Sequence, residues 1–277
     1  MQTTKQNPPK PVFDPQLIEA RQRRAKRYKT DRLIWTRTLA DAQERLADIN
    51  RDFPNVLVQG PEELVQAFEQ SFTAPGRKIA AVPDTAKPYD LVVSLMHMHF
   101  ENDINAVLGD LTSRLKPDGF FLCCFFGGQT LRRLRHVLYQ AEEKLYGQVS
   151  PRIAPMIRLD QAVQLLGRCG LAMPVADRDV LNIHYKSLER LYEDLRAMGQ
   201  TNALATRSPR PVSRRFFELV EKLYRQRHMD EQGRLPVCFE TLWLSGWAPH
   251  PDQPKALKPG TAKTRLADAL GVKEMKP

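Results

Sequence analysis

Four short apolar runs, separated by helical segments, limit what this chain can fold into more than any other feature of its sequence. The runs are rich in β-branched or aromatic residues and too short for helices, so they predict buried strands. Strands that alternate with helices at this spacing predict an α/β fold, with a mostly parallel sheet and flanking helices. The predicted strands cover residues 56–58, 79–82, 91–95 and 120–126.

Further elements are predicted on both sides of this core. Asp14 followed by Pro15 predicts a helix start, because the carboxylate caps free N–H groups and proline is tolerated at the first helical position. Lys116-Pro117-Asp118-Gly119 predicts a turn. The predicted helices cover about 15–29, 31–50, 62–72, 103–115, 130–146, 160–169, 187–197 and 211–227, and two further strands cover about 171–183 and 237–247.

Changes in composition divide the chain into four parts. Residues 1–12 are polar and proline-rich and predict a disordered tail. Residues 13–52 form basic N-terminal helices, and residues 53–248 form the α/β domain. Residues 249–277 predict an extended basic tail because prolines recur in them.

The charge of the chain is concentrated in its N-terminal arm. The net charge of the 277 residues is +10, and residues 1–32 carry nine Lys or Arg against three Asp or Glu. Such an arm suits an acidic protein surface, anionic lipid or nucleic acid, although a solvated helix face is the simplest interpretation. Only Tyr28 and Trp35 interleave aromatic rings with these charges, which disfavours a nucleic-acid partner. Contact with a membrane surface stays open.

Other broad classes are disfavoured by the sequence. It contains no run of eighteen apolar residues, which argues against a transmembrane segment. It shows no secretory signal, and its four cysteines do not suit a disulfide scaffold. We therefore expect a cytoplasmic protein.

The segment from Tyr89 to Phe126 resembles class I S-adenosylmethionine-dependent methyltransferases. In that superfamily Asp-Leu-Val opens the fourth strand, as at 90–92 here, and Leu-Lys-Pro-Asp-Gly precedes the fifth, as at 115–119. The resemblance implies a Rossmann-like fold, S-adenosylmethionine as cofactor and methyl transfer as activity.

Five further segments narrow this resemblance. They are similar to the family of the complex I assembly factor that hydroxylates an arginine, with its bacterial relatives, and also to the malonyl carrier-protein methyltransferase of biotin synthesis. The segments are Val-Phe-Asp at 12–14, Gly-Gly-Gln-Thr-Leu at 127–131, Ser-Pro-Arg-Ile-Ala-Pro at 150–155, Asp-Leu-Arg-Ala-Met-Gly-Gln-Thr-Asn-Ala at 194–203 and Gly-Trp-Ala-Pro-His at 246–250. The similarity implies a protein partner, plausibly a subunit of respiratory complex I.

One departure from the family falls on its cofactor loop. The family has a loop of the type Leu-Asp-Leu-Gly-Cys-Gly after the first strand, whereas here only one glycine remains, followed by proline and two glutamates. Glycines there allow the backbone to approach the ligand closely. The resemblance implies cofactor contacts at Gly60, Asp84, Ser94, Leu95 and His97, with Asp84 as the partner of the ribose hydroxyls.

Three functions follow as hypotheses. The chain is a methyltransferase that modifies a protein or small molecule, or it resembles the arginine hydroxylase and acts on a complex I subunit. Alternatively, it is a non-catalytic assembly protein that kept the fold and lost the cofactor loop. The resemblance makes methyl transfer the leading expectation, whereas the missing glycines favour the last of these hypotheses.

Two patterns of possible metal or redox residues have simpler explanations. His97 and His99 would share one face of a strand, but no third ligand is evident, so we predict no metal site. Cys123 and Cys124 are neighbours in an apolar strand and would face opposite sides of the sheet. We predict that they are buried structural thiols.

Overall fold

The structure, a computed structural model of the chain, describes residues 10–28, 30–81, 84, 88–208 and 211–254. Within these ranges it contains eight α-helices and six strands. The helices are α1 (Pro15–Ala25), α2 (Leu33–Ala47), α3 (Glu62–Ser71), α4 (Ile104–Ser113), α5 (Arg132–Tyr146), α6 (Leu159–Arg168), α7 (Leu188–Ala197) and α8 (Arg214–His228). The strands are β1 (Asn55–Gln59), β2 (Lys78–Ala80), β3 (Tyr89–Leu95), β4 (Leu115–Phe126), β5 (Ala172–Tyr185) and β6 (Leu235–Trp247).

The six strands form a single sheet in the order β2-β1-β3-β4-β6-β5. β2, β1, β3 and β4 run parallel to one another. β6 is antiparallel to both of its neighbours, β4 and β5. The predicted α/β class and its mostly parallel sheet are confirmed.

Both faces of the sheet are buried under helices, as parallel strands require. One core combines alternate residues of β1, β3 and β4 with the apolar faces of α2, α3, α5, α7 and α8. A second core on the opposite face joins the intervening strand residues to α4 and α6. This double burial explains why the central strands are continuously apolar and do not alternate.

The turn predicted at 116–119 is wrong, because these residues belong to β4. Leu115 pairs with Tyr89 and Phe120 pairs with Leu91, so the segment between them bulges out of the ladder. Asp118 has a φ of 62°, a left-handed conformation that aspartate tolerates. Turn-forming residues are thus accommodated inside a strand without ending it.

The N-terminal arm folds back on the domain. The predicted helix start is confirmed, since the Asp14 carboxylate accepts the N–H of Leu17 at 3.2 Å. Phe13 forms an isolated bridge with Leu204 and an edge-to-face contact with Phe100. α2 contributes to the first core. The domain boundaries predicted after residues 12, 52 and 248 stay predictions. Most of the predicted tails, 1–9 and 255–277, lies outside the described residues.

No helix in the described part of the chain is long and apolar enough to cross a membrane. The cytoplasmic location and any contact with a membrane surface stay predictions. Part of the basic arm is engaged within the molecule, since Arg32 donates to the Ala197 carbonyl at 2.8 Å.

Candidate functional site

The strand order reverses at β1, because β2 lies on one side of it and β3 on the other. The carboxyl ends of β1 and β3 therefore form the topological switch point of the sheet. Ligands of open α/β sheets bind at such points. Gly60 follows β1 directly, and a Cβ on it would lie 2.4 Å from the carbonyl oxygen of Leu95. The glycine is therefore required by the contact between two strand ends, with or without a ligand.

The start of α3 lies beside this switch point and is acidic. Pro61 precedes the helix and has no N–H to donate, while Glu62 and Glu63 occupy the first turn, where negative charge is favoured. Lys26 pairs with Glu62, and Arg32 pairs with Glu63. The segment after α1 thus lies over the helix start and neutralises its two carboxylates.

A cavity of about 290 Å³ opens beyond the carboxyl ends of β3 and β4, between α1, α5, α7 and α8. We call it the arginine cavity. The residues that line it include Arg21, Arg24, His99, Phe100, Phe126, Thr130, Leu131, Leu134, Leu138, Arg152, Met156, Tyr192, Arg196, Gln200, Thr201, Phe216 and Phe217. Its size falls near the lower end for small-molecule sites.

A buried histidine forms part of the cavity wall. The Nε2 atom of His99 lies 2.6 Å from Oε1 of Gln200. The backbone N–H of Phe126 donates to Nδ1 of His99 at 3.4 Å. The Gln200 amide in turn donates to the Met96 carbonyl at 3.4 Å. Nδ1 acts as an acceptor, which requires the neutral ring with its proton on Nε2. Burial and, to a smaller extent, the nearby His97 lower the pKa of His99 to about 4, against the opposing effect of the hydrogen bond with Gln200.

A buried ion pair fixes another part of the wall. Glu142 accepts from Nε and Nη2 of Arg152 at 2.9 and 2.6 Å. It also accepts from the backbone N–H and hydroxyl of Ser150, both at 2.7 Å. The Arg152 guanidinium lies 4.6 Å from the ring centroid of Phe216. Four donors on one carboxylate hold the segment after α5 against α5 itself, and the contact between Arg152 and Phe216 joins it to α8.

Comparison with known proteins agrees with this architecture. No family model matches the sequence. The chain is 32% identical over 195 residues to arginine-hydroxylase NDUFAF5, mitochondrial, of Dictyostelium discoideum, covering 70% of this chain and 44% of that protein. It is 31% identical over 160 residues to malonyl-[acyl-carrier protein] O-methyltransferase of Xylella fastidiosa, covering 58% and 52%.

A solved structure of a Bacillus halodurans protein, assigned as a methyltransferase, superposes with a TM-score of 0.50. The match covers 76% of this chain and 99% of the other at 11% identity, so it concerns the fold. The chain therefore has the fold of class I methyltransferases. It spans about half the length of the curated relatives it matches.

The predicted cofactor contacts of this methyltransferase-like chain are partly brought together. Gly60 and Leu95 touch at the switch point. Ser94 and Leu95 are fully buried within the sheet. His97 lies beyond β3 and pairs with Glu101 at 2.7 Å. The role of these residues in cofactor binding stays a prediction.

Asp84, predicted as a ribose partner, is exposed and follows β2. Its backbone N–H donates to the hydroxyl of Tyr89 at 2.8 Å. The contact ties the segment after β2 to the start of β3, and a role in ribose binding likewise stays a prediction.

Three of the segments that carry the family resemblance converge on the arginine cavity. Residues 127–131, 150–155 and 194–203 all contribute side chains to its wall. The segment 246–250 lies instead near the amino end of β4, where Trp247 pairs with Phe120. The resemblance to the methyltransferase-like relatives is therefore concentrated around the cavity.

The expectation that His97 and His99 share a strand face is wrong. β3 ends at Leu95, His97 directly precedes a short 3-10 helix, Met98–Phe100, and His99 lies within that helix. His99 is buried, whereas a third of the His97 side chain is exposed. Among the residues that the structure describes, no group of three His, Cys, Asp or Glu is placed to hold a metal ion.

The prediction for the neighbouring thiols is confirmed. Cys123 and Cys124 are fully buried and belong to the two cores on opposite faces of the sheet. Burial raises the pKa of both thiols above the ordinary value. They act as small apolar side chains and not as reactive groups.

Of the residues that shape the cavity, sequence reasoning singled out His99, but only as half of a His-x-His pair, and it missed Arg152, Gln200 and Glu142. Arg152 and Gln200 lie in segments quoted for the family resemblance, and that signal could have pointed to them. Glu142 has no such signal, because it sits beside the exposed Glu143 in an ordinary charged helix.

Proposed function

We propose that this chain is a non-catalytic member of the methyltransferase-like proteins that binds or chaperones a protein partner during assembly of respiratory complex I. The similarity to proteins named arginine-hydroxylase supports a role beside a protein substrate. The concentration of the resemblance around the arginine cavity, and not at the cofactor loop, supports a binding role.

The start of α3 carries this proposal. S-adenosylmethionine has a carboxylate, and in the resembling family a glycine-rich loop lines the cofactor. Here Pro61 cannot donate, and the Glu62 and Glu63 side chains offer only acceptors to that group. Their charges are already matched by Lys26 and Arg32. The residues present do not fit the cofactor in the family's manner.

An enzyme that modifies a protein or small molecule is the second candidate. It is favoured by the position of the arginine cavity, which opens at the carboxyl ends of β3 and β4, where α/β enzymes bind ligands. S-adenosylmethionine binding separates this candidate from the first.

We expect titration calorimetry of the purified chain to give no binding heat with S-adenosylmethionine up to on the order of 1 mM. The physical reason is the acidic, proline-blocked start of α3. S-adenosylhomocysteine, measured by thermal unfolding, is expected to leave the midpoint unchanged. An active class I methyltransferase serves as the positive control. A dissociation constant in the micromolar range would favour the enzyme instead.

Deletion of the gene in its own organism is expected to remove most of the membrane NADH:quinone oxidoreductase activity, because the complex would not assemble. Expression of the full chain should restore it. Mass spectrometry of the complex I subunits should show the same arginine and methylation masses with and without the chain. Unimpaired activity in the deletion strain contradicts the assembly role, and a mass change that depends on the chain contradicts the non-catalytic role.

A further inference from the structure

The arginine cavity is apolar inside and cationic at its mouth. Leu134, Leu138, Met156, Phe216 and Phe217 provide much of the apolar wall. Four arginines contribute to the lining, and none of its described lining residues is an aspartate or glutamate. A ligand with an apolar body and one negatively charged end would match this distribution.

One of the four arginines is neutralised and three are not. Arg152 is held by the buried Glu142, as described above. Arg21, Arg24 and Arg196 form no ion pair with any residue in the described ranges. Arg24 and Arg196 are exposed, so they are free to turn toward a bound group. Three uncompensated cations therefore meet at one opening.

Arg21 is the most confined of the three. Its Nη1 donates to the hydroxyl of Thr201 at 2.6 Å, which aims the guanidinium into the cavity wall. Its Nε is buried and has no hydrogen-bond partner within the described structure. Burial, together with the charges of Arg207 and Arg24, lowers the pKa of Arg21. A half-buried cation among like charges, with an unused donor, is a site that an anion would stabilise.

We propose that the arginine cavity binds a small amphiphilic carboxylate, whose head lies at Arg21, Arg24 and Arg196 and whose apolar body lies among Leu134, Leu138 and the α8 aromatics. The volume supports a medium-length acyl or aryl group, since a cavity of about 150 Å³ already holds benzene. The three cations at the opening would repel an arginine side chain, which is itself a cation. The inference rests on the cavity and not on the assembly role proposed above.

Three ligands with the same eight-carbon chain test the charge of the head group: octanoate, octanol and octylammonium. Each is titrated into the full chain by calorimetry at neutral pH. We expect octanoate to bind at least about tenfold more tightly than octanol, and octylammonium more weakly than either, because the cations attract only the first. Equal binding of octanoate and octanol overturns the proposal. Tighter binding of octylammonium, or no binding of octanoate up to its solubility, does so as well.

Surface variants locate the head group. The double variant Arg24→Gln/Arg196→Gln removes two exposed cations without disturbing the core, and it should abolish most of the preference for octanoate over octanol. Arg23→Gln, on the same helix but outside the lining of this cavity, is the matched control and should keep that preference. If both variants behave alike, the octanoate site lies elsewhere and the proposal fails.

Discussion

Replacement of Glu142 by alanine is expected to lower the free energy of unfolding by about 3–5 kcal/mol, the usual cost of breaking a buried ion pair. Glu142 is 3% exposed and accepts four hydrogen bonds, from Arg152 and Ser150. Without the carboxylate, the Arg152 charge stays in a largely buried place, and two donors of Ser150 lose their acceptor. Urea unfolding followed by circular dichroism measures the change.

Glu143→Ala is the matched control for this prediction, because Glu143 is the exposed neighbour in the same helix. It should change the free energy of unfolding by less than about 0.5 kcal/mol. The double variant Glu142→Leu/Arg152→Met should recover much of the stability, since it removes both charges together. A loss below about 1 kcal/mol for Glu142→Ala would contradict the structural role assigned to this pair.

The second large effect is a loss of stability in acid caused by His99. The folded chain holds this ring with a pKa of about 4, whereas an unfolded histidine titrates near 6.5. Between these values the unfolded state binds one more proton, so the free energy of unfolding falls as the pH decreases. The contribution of His99 is full above about pH 6.5 and is lost by about pH 4, on the order of 3 kcal/mol in all.

The geometry gives the reason for this sign. Protonation of His99 would place an N–H on Nδ1, directly against the backbone N–H of Phe126 that now donates to it. His99→Gln should therefore reduce the change in the free energy of unfolding between pH 4 and 6.5. The number of protons that the chain takes up on unfolding in this range should fall by up to one. His136→Gln, a substitution of an exposed histidine, should leave it as in the unmodified chain. Identical pH profiles for His99→Gln and the unmodified chain would contradict the assignment.

Local sequence predicted the central strands well, because a strand that is buried on both faces is a continuous run of apolar residues. Residues 56–58 and 91–95 are fully buried in the structure, and their apolar runs admit little else. Local sequence failed at 116–119, where the ladder between β3 and β4 tolerates a bulge. The placement of β6 between β4 and β5 also depends on contacts far apart in the chain.

The cavity was harder to predict than the fold for the same reason. The partner of His99 is Gln200, which is 101 residues away. No local pattern indicates the contact between His99 and Gln200. The residues next to His99 in the sequence indicate instead a strand in which His97 and His99 share one face. Glu142 looks like a solvated helix residue until the segment carrying Arg152 returns to it.

The ion pairs at the start of α3 make a glycine-rich turn hard to introduce at this position. A mutation that removed Glu63 alone would leave Arg32 without its carboxylate and would gain no ligand. Replacing Pro61 alone would supply one N–H but would leave Lys26 paired with Glu62 beside it. A turn of the glycine-rich type would therefore need concerted changes in two distant parts of the sequence, around residues 26–32 and 61–63. A change in either part alone leaves a charge without its partner, so we expect the two parts of the sequence to vary together.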